Sequence, residues 1–362
     1  MSAHKPRSGS LAYYPRGRAA RHMANFFTFP EVNAKEAKPL NFIGYKAGMT
    51  TVFGKNAHEK SHSFGQESAI PTTIIECPPL KVIGVRTYNK DAYGLHVIGE
   101  ATTDKPDRNL KRKIKSFKTK GKVASPNKAN PQKDEPKGNY TTIEDLERDK
   151  AQIVQVTVIV QTQPGMTGMG KKKSDVAELH LCGTAEQQLA YAKEKFGKEL
   201  RISDVFSQGQ FVDVKAVDKG KGFQGVVKRF GVKVHRPKAK KRRYVGSIGP
   251  WHPPLVMWTV AMAGQMGYQT RTEYNKRVLM LDSAANSAAV NPRKGFSHYG
   301  LVKNDYIAVH GSVPGAPKRP VALRVPTRVN NEQASKFVDV KPMSHYISAA
   351  GGKAQKATGE AK

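Results

Sequence analysis

Between Asp218 and Trp258 the chain carries eleven Lys and Arg residues and a single acid, Asp218. No packed interior can take such a stretch, because an unpaired charge removed from water costs on the order of several kcal/mol or more. The cations are Lys219, Lys221, Lys228, Arg229, Lys233, Arg236, Lys238, Lys240, Lys241, Arg242 and Arg243, and the run halts at Trp251, His252, Pro253 and Pro254. A dense polyanion is the natural partner for that charge. The Trp beside two prolines offers a ring on stiff backbone against which a base can stack. The stretch reads as an arm threaded into folded RNA.

The whole chain leans the same way. It has 61 Lys and Arg against 29 Asp and Glu, a formal net charge of +32, and that self-repulsion is most easily tolerated beside a polyanion. Its 362 residues suffice for two or three domains with real cores. A hydrophobic share of 38% lies below the usual globular value, so much of the chain is surface or extension. Cys77 and Cys182 are far apart and share no motif, which excludes a disulfide framework or a structural zinc site and leaves two reduced thiols in a cytosolic protein. No apolar run approaches the ~20 residues that cross a bilayer. The basic N-terminus is followed by no apolar segment of a secretion signal, and no amphipathic helix with a wide apolar face accompanies the cations. A membrane partner is set aside in favour of nucleic acid.

Residues 1–38 mix Lys5, Arg7, Arg16, Arg18 and Arg21 with Tyr13, Tyr14, Phe26, Phe27 and Phe29, and neither the strand nor the helix period fits them. They read as extended backbone, either a free tail or a segment that orders on RNA, the paired aromatics favouring the second. From Leu40 short β-rich runs follow at 40–45, 72–76, 82–88 and 95–98, bounded by Gly, Pro or Asn, as in an antiparallel barrel or sandwich. A second basic run between Asp104 and Gly138 is either a solvated loop or an RNA contact. Thr141 and Glu144 resemble a capping box opening a short helix. Strands are expected at 153–160 and 176–182 around a Gly-Met-Lys loop at 163–173. A helix follows, capped by Thr184 and ended by Gly197. Strands are expected again at 211–217, 277–281, 306–309 and 321–325. The small polar tail from Ala349 is expected to fray.

Gly220, Gly222 and Gly225 fit the G-x-G-x-x-G pattern after a strand. A dinucleotide site also needs a packed helix next and an acid about 20 residues on, and Gly231, Pro237 and the acid-free region around Tyr244 supply neither. A kinase loop fits the same letters, but no H-R-D or D-F-G sequence completes it. The remaining reading is mechanical: glycines that let backbone amides approach phosphates, with Lys219 and Lys221 supplying charge. Trp251 reads as a stacking ring or a local core residue. Trp258, flanked by Val256, Met257 and Val260, reads as core. His252 has the pKa for proton transfer, yet no Asp, Glu, Ser or Cys lies near it in sequence, so no catalytic residue and no metal ligand is assigned. The segment Arg271 to Arg277 reads as a phosphate-positioning element or a solvated loop.

Four of these stretches together resemble the universal large-subunit ribosomal protein L-three family in its archaeal/eukaryotic form. They are Gly44 to Thr50 (GYKAGMT), Gly220 to Arg229 (GKGFQGVVKR), Gly249 to Pro254 (GPWHPP), and Gly264 to Arg277 (GQMGYQTRTEYNKR). With the basic N-terminus the resemblance covers nearly the whole chain. It departs at Asp218, where relatives usually carry Ser or Thr, and at Ala261, where many have proline. Eukaryotic members tend to carry a histidine at or beside Ala239, and its absence from that position points to an archaeal source.

The resemblance implies a mainly β fold with α+β elaboration: a translation-protein-like antiparallel β-barrel with an α/β insertion and long basic extensions. The implied layout is an N-terminal extension at 1–38, barrel core at 39–103, 201–217 and 264–345, basic loop and insertion at 104–200, finger at 218–263 and tail at 346–362. It implies a structural constituent of the large ribosomal subunit that binds 23S rRNA directly near its 3′ end, supports early subunit assembly and points its finger at the peptidyl-transferase centre. Proteins L-fourteen and L-twenty-four-e would be neighbours, with no cofactor, membrane or small-molecule substrate. The expected rRNA-binding residues are Arg16, Arg18, Arg21, Lys46, Lys219, Lys221, Lys228, Arg229, Arg236, Lys240, Lys241, Arg242, Arg243, Trp251, His252, Arg271, Lys276 and Arg277. An RNA-modifying enzyme or a free RNA chaperone are the alternatives. The first would need a pocket with convergent polar groups, and no cluster in the sequence points to one.

Overall fold

The computed structural model describes residues 8–31, 36–103, 107–115, 143–148, 150–238, 242–329 and 337–342, without the side chains of Asp145 and Arg148. Outside these residues lie Lys5, Arg7, Lys105, Thr141, Ala239, Lys240, Lys241, most of the basic run after Asp104 and the C-terminal tail. The strands are β1 (Asn41–Asn56), β2 (Glu67–Glu76), β3 (Leu80–Asp91), β4 (Gly94–Thr102), β5 (Gln155–Gln161), β6 (Val176–His180), β7 (Glu199–Leu200), β8 (Phe211–Val217), β9 (Phe223–Gln224), β10 (Gly264–Gln265), β11 (Thr270–Asp282), β12 (Tyr306–His310), β13 (Pro320–Arg324) and β14 (Phe337–Pro342). The helices are α1 (Ile143–Arg148), α2 (Ala185–Lys195) and α3 (Val226–Phe230).

Six strands form a ring in the order β13, β8, β11, β12, β2, β1, and β1 closes it by pairing with β13 from Asn41 opposite Arg324 to Tyr45 opposite Pro320. Every ladder of the ring is antiparallel. Closure removes the open edges that would template aggregation. Phe42, Ile75, Val214, Val278, Ile307 and Leu323, one from each strand, join a single buried cluster, as inward-facing positions of a barrel must. Each fully buried Leu or Ile stabilises the fold by about 1.5–3 kcal/mol. The opposite faces of β1, β2, β11 and β12 are covered as well. Tyr45, Ile74, Leu279 and Tyr306 pack there under Val290, Phe296, Tyr299 and Val302. Burial on both faces is why these strands read as apolar runs without strict alternation.

A second antiparallel sheet has the order β4, β3, β5, β6, with β7 also on β3. The sequence reading grouped β3 and β4 with the barrel, but their ladder partner is β5, about 70 residues further on, and local pattern carries no information on which sheet a strand joins. Helix α2 packs on β5 and α1 on β4. Thr184 caps α2 through a capping box with Gln187, and Gly197 follows its end at φ +74°. Cys77 and Cys182 are both free and buried. Among the described residues no helix is long and apolar enough to cross a membrane.

The N-terminal extension, read as either a free tail or an RNA-ordered segment, packs on its own chain. The Ala19 amide donates to Tyr268 O at 2.7 Å, and Lys215 Nζ to Asn25 O at 2.8 Å. Phe26 is 7% exposed beneath the Arg324 guanidinium, 4.4 Å from its ring centre, and Phe29 stacks on His180 at 4.0 Å. Residues 8–31 thus touch the arm base, the barrel and the second sheet in turn.

Candidate nucleic-acid interface

The arm leaves the barrel at Asp218, and its one acid is engaged there. Asp218 Oδ1 accepts the Gln269 amide at 2.8 Å, while Oδ2 lies 3.6 Å from Arg271 Nε. Arg319 Nη1 donates to Val217 O and Asp218 O, closing the same corner. The short ribbon β9–β10 follows, with Lys221 N donating to Met266 O at 3.0 Å and Met266 N to Gly222 O at 2.9 Å. Gly267 sits opposite at φ +71°, where a Cβ would stand 2.3 Å from Lys219 O. Only glycine permits this approach.

The G-x-G-x-x-G stretch is therefore a ribbon turn and a helix cap. Gly222 adopts φ +68°, Gly225 caps the five-residue α3, and Gly231 ends it in the left-handed conformation. Of the stretch's amides, the Lys221 N–H is held by Met266 O. Helix α3 buries Val226 and Phe230 and turns Lys228 outward. Arg229 turns inward, donating to Gln265 O, Met262 O and Arg16 O at 3.0, 2.9 and 3.1 Å. Arg16 returns the contact to Arg229 O at 3.1 Å, with its guanidinium 4.3 Å from the Phe230 ring centre.

Past Gly231 the arm has two legs. His235 N donates to Arg242 O at 3.0 Å, and its ring stacks on Tyr244 at 4.6 Å. Lys219, Lys221, Lys228, Lys233, Arg236, Lys238, Arg242 and Arg243 are all exposed, and none forms an ion pair with an acid among the described residues. At the tip Trp251 is 87% exposed, and His252 is exposed beside it. Trp258, expected in a core, is 64% exposed and meets Tyr14 only edge-on at 5.3 Å. Its apolar neighbours Leu255, Val256 and Met257 are exposed too, unlike the buried Val226 and Phe230 of α3. This apolar tip was missed in the sequence because apolar residues at no regular spacing are ordinarily read as local packing.

The other expected residues lie on the body. Arg18 and Arg21 are exposed, Arg21 at the mouth of a cleft of about 680 Å³ that also holds Phe27, Arg86 and Glu178. Lys46 donates to Val313 O and Gly315 O, and burial lowers its pKa from the usual value. Arg271 to Arg277 is not a loop: it lies within β11, where a register shift between Glu273 and Lys276 accompanies Asn275 at φ +53°. Lys276 pairs with Glu273 at 2.6 Å, and Arg271 lies 4.7 Å over Tyr13. Arg277 lies 5.7 Å over Phe211, and burial lowers its pKa. Among the described residues no group of three or more His, Cys, Asp or Glu could hold a metal ion.

A family model described as ribosomal protein L3 matches residues 1–350. The chain is similar to the large ribosomal subunit protein uL3 of Methanothermobacter thermautotrophicus, with 42% identity over 354 residues, 96% of this chain and 97% of that one. The proteins of the same name from Methanocaldococcus jannaschii and Archaeoglobus fulgidus are 43% and 40% identical, each over 90% of this chain and 92% of the relative.

Proposed function

The chain belongs to the ribosomal protein L3 family, and from that membership we propose that it is a structural component of the large ribosomal subunit. In this reading it binds 23S rRNA directly near the 3′ end, supports early subunit assembly and directs its arm toward the peptidyl-transferase centre, with L-fourteen and L-twenty-four-e as neighbours. The relatives carry the name of a subunit protein and not of an enzyme.

One observation carries the reading. Eight described cations project from the arm without an acid to pair with, and the arm ends in an exposed Trp251. RNA phosphates neutralise the legs, and a base stacks on the tip, a contact worth about 1–3 kcal/mol. Lys219, Lys221, Lys228, Arg236, Arg242, Arg243, Trp251 and His252 are the proposed arm contacts, with Lys240 and Lys241 beside them in sequence and Arg18 and Arg21 on the extension. Arg16, Lys46, Arg229, Arg271, Lys276 and Arg277 hold the surface those residues stand on.

Trp251→Ala tests this. The ring is exposed, so the melting temperature should hold within about a degree, while chemical footprints of rRNA bases in purified subunits change at the tip. A large fall in melting temperature with unaltered footprints would sink the stacking role. Sedimentation of the chain away from large subunits in a sucrose gradient would sink the subunit assignment and favour a free chaperone.

A further inference from the structure

The arm leaves a second group of cations unexplained. Two loops, residues 163–173 and 291–304, meet on the outside of the barrel and present Lys172, Lys173, Arg293, Lys294 and Lys303, all exposed. Residues 163–174 and 291–304 contain no acid; of the two acids that follow them directly, Asp175 is taken by Lys171 and Asp305 accepts the Ala284 amide at 2.9 Å. None of the five cations forms an ion pair among the described residues.

What distinguishes this patch from scattered surface lysines is the way it is held. Strand β1 is its floor. Phe296 packs over Gly48, where a Cβ would come within 2.7 Å of the ring, and Tyr45 Oη bonds Thr162 Oγ1 at 2.8 Å and Asp175 Oδ2 at 2.9 Å. Glu76, fully buried, accepts from Tyr299 Oη at 2.5 Å, the amides of Lys303 and Asn304 at 2.9 and 3.0 Å, and Asn304 Nδ2 at 2.7 Å. The second Asn304 Nδ2 hydrogen reaches Met166 O at 3.2 Å and so ties one loop to the other. A buried carboxylate with four donors fixes the loop that carries Lys303, and cations on fixed backbone lose less freedom when they bind.

We propose that these two loops form a second RNA-binding surface that grips a phosphodiester backbone separate from the one the arm meets. The identity of the polyanion rests on the function proposed above; the separate site rests on the loops. A rigid, acid-free patch of five cations suits phosphates at fixed spacing, whereas a protein partner would have to supply an acidic counterpart on a matching surface.

The test uses the full chain and an in-vitro transcript of the large-subunit rRNA from the same organism. One variant replaces Lys172, Lys173, Arg293, Lys294 and Lys303 by Gln; another replaces Lys219, Lys221, Lys228 and Arg236 by Gln; a third turns the four loop lysines into Arg. The loop variant should fold like the parent, show a log–log salt slope shallower by about 3.5–4.5, and lose hydroxyl-radical protections that the arm variant keeps. The arginine variant should keep both slope and protections. Parental slope and footprint in the loop variant, with the arm variant weakened, would overturn this inference and leave the arm reading standing. Failure of the parent chain to bind the transcript would sink both. A subunit protein lost from particles carrying the loop variant, with RNA protection intact, would replace RNA by an acidic protein and overturn the proposal.

Discussion

Lys228 and Arg229 are adjacent, both cationic, and face opposite ways. Lys228 points to solvent from α3, while Arg229 donates to three carbonyls of the arm base and the N-terminal extension. Hydrogen bonds from a charged donor contribute about 1.5–3 kcal/mol each when buried, and partial exposure here brings the expected loss for Arg229→Ala to about 1.5–3 kcal/mol in all. Urea unfolding should show that loss, with faster proteolysis near residues 8–20. Lys228→Ala should leave unfolding unchanged and weaken only RNA binding; equal effects of the two on stability would refute the division. Histidines add a pH dependence at the same scale. Burial lowers the pKa of His180 and His310 below 6.5, so the unfolded chain binds protons at these sites before the folded one does. Their contribution to stability is therefore full above about pH 6.5, declines as pH falls through that value, and levels off below the lowered folded pKa values. His180→Gln should flatten that decline between pH 7 and 5 in a series of thermal melts taken at about 0.5-unit steps.

At the level of elements, the arm base turns on Gly267. A side chain there meets Lys219 O at 2.3 Å in a left-handed backbone conformation, so Gly267→Ala must open the β9–β10 ribbon and cost more than about 1 kcal/mol. The arm cations remain, but their aim changes. Footprints along the whole arm should shift together, and a single displaced nucleotide would argue against a rigid base. Such joints mark the limit of what the sequence makes legible. Strand positions such as 211–217 and 306–309 announce themselves through Val, Ile and Tyr, and Thr184 with Gly197 announces α2, because those signals are local. The exposure of eight of the arm's cations was legible too, since a run with one acid cannot pair them, whereas the inward turn of Arg229 was not. Pairing of β1 with β13 joins Asn41 to Arg324 across most of the chain, and no local pattern encodes it. Which cations stay free is equally hidden. Lys46, Arg16 and Arg229 look in sequence like Lys219, but their partners are backbone carbonyls contributed by distant segments.

For the molecule as a whole, a net charge of +32 makes salt act with opposite signs on folding and on binding. In the free protein, like charges on the arm, the two loops and the extension repel across distances comparable to the Debye length of about 10 Å at 0.1 M. Most of the repelling groups are exposed, so screening relieves the strain without breaking the few ion pairs that are buried, Arg324 with Asp213 being the deepest. Raising salt from about 20 to about 300 mM should therefore raise the melting temperature of the isolated chain. RNA binding must move the other way. Setting aside Arg229 leaves ten arm cations, and if these meet phosphates the log–log slope is about −7 to −9, so each doubling of salt weakens binding by about 100- to 500-fold. The two-loop surface would steepen it further. Thermal melts of the free chain and filter binding of the transcript, run over one salt series, should therefore diverge. If both curves fell together, the exposed charge would be holding the fold through surface ion pairs, and the case for an arm kept free for RNA would fail.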